Sequence, residues 1–383
     1  MRRSIAAAMV ACAALSLASS TSAHADPALQ SFLEQALAWL RHRDHNPAIA
    51  ALLQIDGKVA AEAAAGSRAL DHPEPVTVDD RWHIGSDTKA FTATLIGTLV
   101  DRHVMTLEDT LEVSFPALAK TMHPAYRHIT VRQLLSHTAG LPPLKNTETE
   151  FPTALAAVKS VQGVSAQRAA LARYYLTRPP ASAAGTFEYS NLGYIIAGAI
   201  AEARTGQTWE NLLRERVFSP LGISDVGFGP PGHSGKYDQP LGHAEISGRL
   251  VPLDPAAPDS DNPAWIGPAG TISISLRDWA LFAQDQLDGA LGHGKLLQQA
   301  TYRSLQTSVA KGYALGWGVS LDQDGTPKFL THEGSNGYWF AAICLYPKQG
   351  TIILMATNFG SAAANKSIED LGAGLASHLK LAN

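Results

Sequence analysis

The chain has 383 residues, 45% of them apolar, with a formal net charge of −4 and a pI near 6.4. That length exceeds the usual size of one compact core, so one large domain or two intermingled ones are expected. No Lys/Arg cluster supplies a basic field, which argues against a nucleic-acid or anionic-membrane partner.

Arg2 and Arg3 precede an apolar, Ala-rich run from Ile5 to Leu17, and Ala23-His24-Ala25 fits the small-x-small rule for cleavage. Residues 1–25 read as a secretory signal peptide, with Asp26 starting the mature chain and a periplasmic or secreted location. The apolar run falls short of the ~20 residues that a spanning helix needs, so no integral membrane segment is expected after cleavage. Met9-Val10-Ala11-Cys12 makes a poor lipobox. Cys12 leaves with the signal, so Cys344 stands alone and no intramolecular disulfide can form. Its apolar surroundings, Phe340 to Tyr346, mark it as a small buried hydrophobe.

Leu29, Phe32, Leu33, Ala36, Leu37 and Leu40 follow helical spacing over residues 28–43. Ala48–Ile55 and Val59–Ala65 flank Asp56-Gly57, a strong hairpin signal. Ser86 to Arg102 reads as a helix with Phe91, Leu95, Leu99 and Val100 on one side. Thr106-Leu-Glu-Asp109 looks like a second helix start. Residues 110–225 are helical and Ala-rich, broken at Gly140–Pro143, Pro179–Gly185 and Pro220–Gly222; residues 227–270 suggest loops with short strands. Ile274 to Leu287 predicts a helix. Strands follow at Lys328–Glu333, Tyr338–Tyr346 and Thr351–Thr357, and a last helix from about Ser367 to Leu381.

A hairpin first, a meander last and helices between predict an α/β fold: an antiparallel sheet flanked by helices, formed by both chain ends, with an inserted mainly helical domain. The expected division is 26–95 with 265–383 for the sheet domain and 96–264 for the helical one.

Three short motifs carry chemistry. In Gly85-Ser86-Asp87-Thr88-Lys89, Ser86 and Lys89 lie on one face of a helix, one turn apart. The hydroxyl would sit at the positive end of the helix dipole, and a Lys amine kept neutral by burial could take its proton. Ser308-Val-Ala-Lys311 has the same spacing but lies in a loop-like stretch without partner motifs. Tyr189-Ser190-Asn191 precedes a helix at Ile195–Ala203; a phenol can move protons near a cation, and an amide can orient the Lys or a carbonyl. His332-Glu333-Gly334 ends a strand, and its glycine leaves room for substrate against the backbone.

Together, and with Ile129-Thr-Val-Arg-Gln-Leu-Leu-Ser-His-Thr-Ala-Gly-Leu-Pro142, Gly185 to Tyr194, Pro268 to Phe282 and Leu315-Gly-Trp317, these motifs resemble the serine β-lactamase-like superfamily of class C β-lactamases, D,D-peptidases and family VIII-type esterases. The resemblance covers roughly residues 48 to 360. It implies an exported serine hydrolase acting on a small-molecule or peptide substrate through an acyl-enzyme on Ser86. Lys89 and Tyr189 would relay the proton, Asn191 would orient the Lys or the substrate, and His332 would support the relay or face the leaving group. The backbone N–H groups of Ser86 and Ser335 would hold the oxyanion. No cofactor and no metal enter this expectation; His42, Asp44 and His45 make no ligand set. Within the resemblance the stretch around His137 is a structural turn, and no G-x-S-x-G elbow supports a Ser-His-Asp triad. Ser260-Asp261-Asn262 falls too late in the chain for the class A motif it mimics and is discounted.

The third motif departs from the Lys-Thr-Gly or His-Thr-Gly of related enzymes. A His332 only partly charged near neutral pH, with the Glu333 anion beside it, would hold a substrate carboxylate poorly and favour esters, amides or amine-bearing acyl donors. Strand alternation could instead turn Glu333 to the other face. A true β-lactamase or D-Ala-D-Ala carboxypeptidase, and a penicillin-binding sensor without turnover, are the competing expectations.

Overall fold

The computed structural model describes residues 26–144 and 150–381. The expected signal segment, its expected cleavage site and Cys12 lie outside the described residues. The strands, in chain order, are β1 (Ala48–Ile55), β2 (Lys58–Gly66), β3 (Arg81–His83), β4 (Val226–Phe228), β5 (His243–Ile246), β6 (Arg249–Pro252), β7 (Ile272–Ser275), β8 (Gly318–Leu321), β9 (Pro327–Ser335), β10 (Phe340–Tyr346) and β11 (Thr351–Thr357). Six form one antiparallel sheet in the order β2-β1-β11-β10-β9-β8.

The first hairpin turns on Asp56 and Gly57, both at positive φ (48° and 74°), as a two-residue primed turn requires. β1 then pairs with β11, Ala50 opposite Ala356 and Leu52 opposite Leu354, so both ends of the described chain meet in mid-sheet. These strands are buried on both faces, and their side chains alternate between two cores. Ala50, Leu52, Leu354 and Ile343 join the inner core, while Ile49, Ala51, Leu53 and Met355 join the outer one. The outer core is closed by the helices Pro27–Arg43 and Ala362–His378. The first of these buries Leu29, Leu33, Leu37 and Leu40 on one stripe, and the Asp26 carboxylate caps the Ala28 and Leu29 N–H groups.

The inner core holds the helix Thr88–Asp101. The sequence suggested one apolar side, yet Thr88 through Leu99 are all buried, so the helix is enclosed all round. Phe91 stacks on Phe282 at 3.7 Å on one side and meets Phe218 edge-on at 6.0 Å on another. The expected boundary between residues 95 and 96 falls inside this helix, whose surroundings form one continuous core. A small sheet, β3-β7-β4, lies where the helix begins.

Three elements differ from the expected ones. Ile274 belongs to β7, and the helix starts only at Leu276, where the Ser275 hydroxyl caps it. Thr106 Oγ1 bonds Asp109 without opening a helix, and the four-residue turn of helix there starts at Leu111. The last helix begins earlier and ends earlier than expected, at Ala362–His378, capped by the Ser361 hydroxyl.

Candidate active site

β3 delivers the first motif. The Ile84 N–H donates to Ile272 O at 2.9 Å, holding the strand end to β7. Gly85 then takes φ +50°, and a Cβ there would lie 2.4 Å from Ser335 N. Only glycine lets the end of β9 approach this closely. Gly85–Asp87 form a 3₁₀ turn that runs straight into the helix Thr88–Asp101.

Lys89 is completely buried, and its Nζ lies 2.9 Å from Ser86 Oγ, 2.8 Å from Asn191 Oδ1 and 2.7 Å from Ala269 O. Burial holds its pKa well below the usual lysine value, against a smaller upward pull from Asp87. A neutral amine has two N–H groups and one lone pair. Ala269 O can only accept. Asn191 Nδ2 donates to Leu144 O at 3.0 Å, which turns its Oδ1 toward Lys89 as a second acceptor. In a neutral amine both N–H groups would thereby be used, which would leave the lone pair for the Ser86 hydroxyl.

The second motif is held by the Ser136-His-Thr-Ala-Gly140 turn. His137 has φ +59°, its carbonyl accepts the Glu188 N–H at 2.8 Å, and its Nδ1 accepts the Ser190 N–H at 3.0 Å. Its ring lies 4.2 Å from that of Tyr189. Burial, then Lys89 and His332, push its pKa well below the usual histidine value. His137 therefore places Tyr189 without approaching Ser86 as a base. Tyr189 is half-buried, its ring 4.9 Å from Lys89 Nζ, and desolvation raises the pKa of its phenol, so it stays protonated.

The third motif behaves differently from its expectation. In β9, Leu330, His332 and Gly334 face inward, and Thr331 and Glu333 face outward, by simple alternation. Gly334 is pressed on the first motif: a Cβ there would lie 2.0 Å from Ile84 O and 2.5 Å from Ser86 N. His332 is fully enclosed. Its Nδ1–H donates to Glu333 O at 2.8 Å and its Nε2 accepts from the Tyr313 hydroxyl at 3.1 Å. Burial first, then Lys89, lower its pKa to about 3, which corrects the expectation of a partly charged imidazole. Glu333 lines a separate groove of about 650 Å³ under the last helix, with Glu369 and Cys344. Burial and Glu369 raise its pKa. It therefore does not face Ser86, and contrary to the expectation its charge does not act on a substrate carboxylate there.

A cavity of about 280 Å³ opens at Ser86, lined by Tyr189, Asn191, Asn262, Ile266, Ser335 and Asn336 among others. None of its described lining residues is charged. Asn262 and the neighbouring Asp261 were discounted from the sequence, yet both lie here. Asp261 bonds His83 Nε2 at 3.1 Å and Asn336 Nδ2 at 2.7 Å. Tyr313, bonded to His332, and Tyr194, whose hydroxyl donates to Leu135 O at 2.7 Å, were also missed. Asp87 is buried beneath the nucleophile turn with both carboxyl oxygens unpartnered, and burial raises its pKa well above the carboxylate range. Its 4.0 Å separation from His332 Nδ1 is too long for a hydrogen bond. The competing Ser308 and Lys311 follow the helix Gln299–Gln306, with the Lys311 Nζ over the Phe187 ring at 5.8 Å. Among the described residues no cluster of three or more His, Cys, Asp or Glu could hold a metal, and no helix is long and apolar enough to cross a membrane.

Residues 29–374 match the model of the Beta-lactamase family. The chain belongs to that family. It is thus a β-lactamase-related serine hydrolase. It is 28% identical over 338 residues to penicillin-binding protein 4 of Amycolatopsis lactamdurans, covering 85% of this chain and 84% of that protein. It is 24% identical to protein flp of Staphylococcus aureus (strain COL), covering 88% of this chain and 64% of that protein's length. The structure of EstCE1, a hydrolase with promiscuous acyltransferase activity, superposes with a TM-score of 0.71 at 16% identity, over 90% of this chain and 99% of that one, and shows the shared fold.

Proposed function

We propose that this Beta-lactamase-family chain hydrolyses esters or amides through an acyl-enzyme on Ser86. The observation that carries this is the buried Lys89 Nζ, 2.9 Å from Ser86 Oγ, whose pKa burial holds well below the usual lysine value. Ser86 Oγ attacks the acyl carbonyl as Lys89 takes its proton, and the oxyanion forms between the Ser86 and Ser335 N–H groups. Tyr189, a neutral phenol lining the same cavity as Ser86, donates a proton to the leaving group; Lys89 restores the phenol's proton. Water then attacks the acyl-enzyme by the reverse sequence and releases the acid. Asn191 orients Lys89, and His332 holds Tyr313 behind the site as a neutral ring. The described lining offers no cation to pair with a substrate carboxylate, so neutral acyl donors are favoured over β-lactams. The relation to a penicillin-binding protein supports a second reading, acylation by β-lactams or D-Ala peptides. The pattern of residues 1–25 supports export to the periplasm or outside the cell.

A fluorophosphonate should label the wild type and the Ser308→Ala variant and fail to label Ser86→Ala. A nitrophenyl ester should turn over continuously, which a sensor that acylates once would not do. Labelling that survives in Ser86→Ala and is lost in Ser308→Ala overturns the assignment.

A further inference from the structure

Asp261 takes no part in the mechanism above, yet its two oxygens reach the two segments that carry the oxyanion donors. Its side chain is only 7% exposed. On one arm, Oδ2 lies 3.1 Å from Nε2 of His83, which is fully buried. The other ring nitrogen, Nδ1, accepts the Gly85 N–H at 3.2 Å. A backbone N–H can only donate, so Nδ1 is bare and the ring proton sits on Nε2, pointing at Asp261. On the other arm, Oδ1 accepts from Asn336 Nδ2 at 2.7 Å. Asn336 Oδ1 accepts the Tyr338 and Trp339 N–H groups at 3.0 and 3.2 Å, which fixes the amide with its nitrogen toward Asp261. Gly85 precedes Ser86, and Asn336 follows Ser335. One carboxylate thus spans from the residue beside the first donor to the residue beside the second.

We propose that Asp261 is a positioning residue that sets the spacing of the Ser86 and Ser335 N–H groups through His83 and Asn336. The inference rests on the reading that Ser86 is the nucleophile and that these two N–H groups bind the oxyanion. Both arms present a donor, so the clamp needs two acceptors on one side chain. A carboxylate has two, and a carboxamide has one. Asp261→Asn must therefore set its NH₂ against Asn336 Nδ2 or against His83 Nε2–H. Moving the His83 proton to Nδ1 would only transfer the clash to the Gly85 N–H. The exchange Asp261→Asn with Asn336→Asp restores every bond. Asn at 261 accepts from His83 and donates to Asp at 336, which still accepts the Tyr338 and Trp339 N–H groups.

The test uses the full chain and a nitrophenyl ester, with the melting temperature of each variant measured alongside. Fluorophosphonate labelling of Ser86 in the wild type is established first. Asp261→Asn should lose roughly 10- to 100-fold in kcat. Its KM should stay within about threefold, because the lost contact acts on the transition state. The double exchange should recover most of the lost kcat while Asn336→Asp alone does not reach wild type. Wild-type kcat in Asp261→Asn, a double exchange as slow as the single variant, or a kcat loss that merely follows the folded fraction would each overturn the inference. Wild-type enzyme that is not labelled on Ser86 overturns the underlying reading as well, and is distinguished by coming before any Asp261 variant is compared.

Discussion

His332 and Glu333 are consecutive residues on opposite faces of one sheet: the imidazole bonds Tyr313 behind Ser86, and the carboxylate lies in the outer groove with Glu369. Glu333→Thr should therefore leave the ratio of nitrophenyl-ester to nitrocefin activity where it stands in the wild type. A shift of that ratio toward nitrocefin would place the carboxylate at the substrate after all.

The pH profile should carry the signature of Lys89. Its amine acts only when unprotonated, and burial holds its pKa well below the usual lysine value. Activity should rise with pH on a limb far below 10.5, the ordinary value. That limb should persist in His332→Gln, since the His332 pKa of about 3 lies outside it. Lys89→Ala should cost ~10²–10⁴ in kcat, and Lys89→Arg should not restore it, because a guanidinium does not give up its proton. A limb that vanishes in His332→Gln would reassign the base.

Tyr189→Phe should separate substrates by leaving group. The phenol stays protonated and shares the cavity with Ser86, so its removal deprives the departing atom of an acid. The loss should reach ~10²–10⁴ for an anilide or amide and be smaller for a nitrophenyl ester, whose phenolate departs without help. Equal losses on both substrates would show that Tyr189 works in the attack step instead.

Stability should respond to acid and to base through different groups. His332 and His243 have pKa values lowered to about 3 and about 4, chiefly by burial. In the unfolded chain they titrate near ~6.5. The unfolded state takes up these protons first, so stability is full above about pH 6.5 and falls toward pH 3. Asp87 has the opposite sign. Its folded pKa is raised by burial, so the unfolded carboxyl loses its proton first and stability falls as pH rises above about 4. Asp87→Asn should thus gain on the wild type by about 1.4 kcal/mol for each pH unit above about 4 until the folded pKa is reached. Melting temperatures from pH 3 to 8 would show it; a constant gap across that range would mean that Asp87 is ionised in both states.

What could be read from the sequence follows the range of each interaction. Ser86 and Lys89 sit one helical turn apart, so their meeting is local and needs no knowledge of the rest of the fold. The pairing of β1 with β11 followed from apolar runs at both ends that only a shared sheet would bury. Asp261 was noticed only within Ser260-Asp-Asn262 and set aside for the opposite reason: its partners, His83 and Asn336, come from distant segments. Ile274 was misplaced because a short apolar run fits a buried strand and a buried helix equally well. The outward turn of Glu333 was there to be read in the alternation of Leu330, His332 and Gly334, but strand ends lose their phase at turns and the facing depends on where β9 stops.

The order of strands in the large sheet also sets a timetable for synthesis. Ser86 and Lys89 leave the ribosome before Ser335, the donor expected opposite them, and before the β10 and β11 strands that anchor β9 and β1. Until those residues are translated, β1 has no neighbour on one edge, Gly85 has nothing pressed against it, and the serine is one hydroxyl among many. While it is still being made, such a chain lacks the second of the two N–H groups proposed to hold the oxyanion.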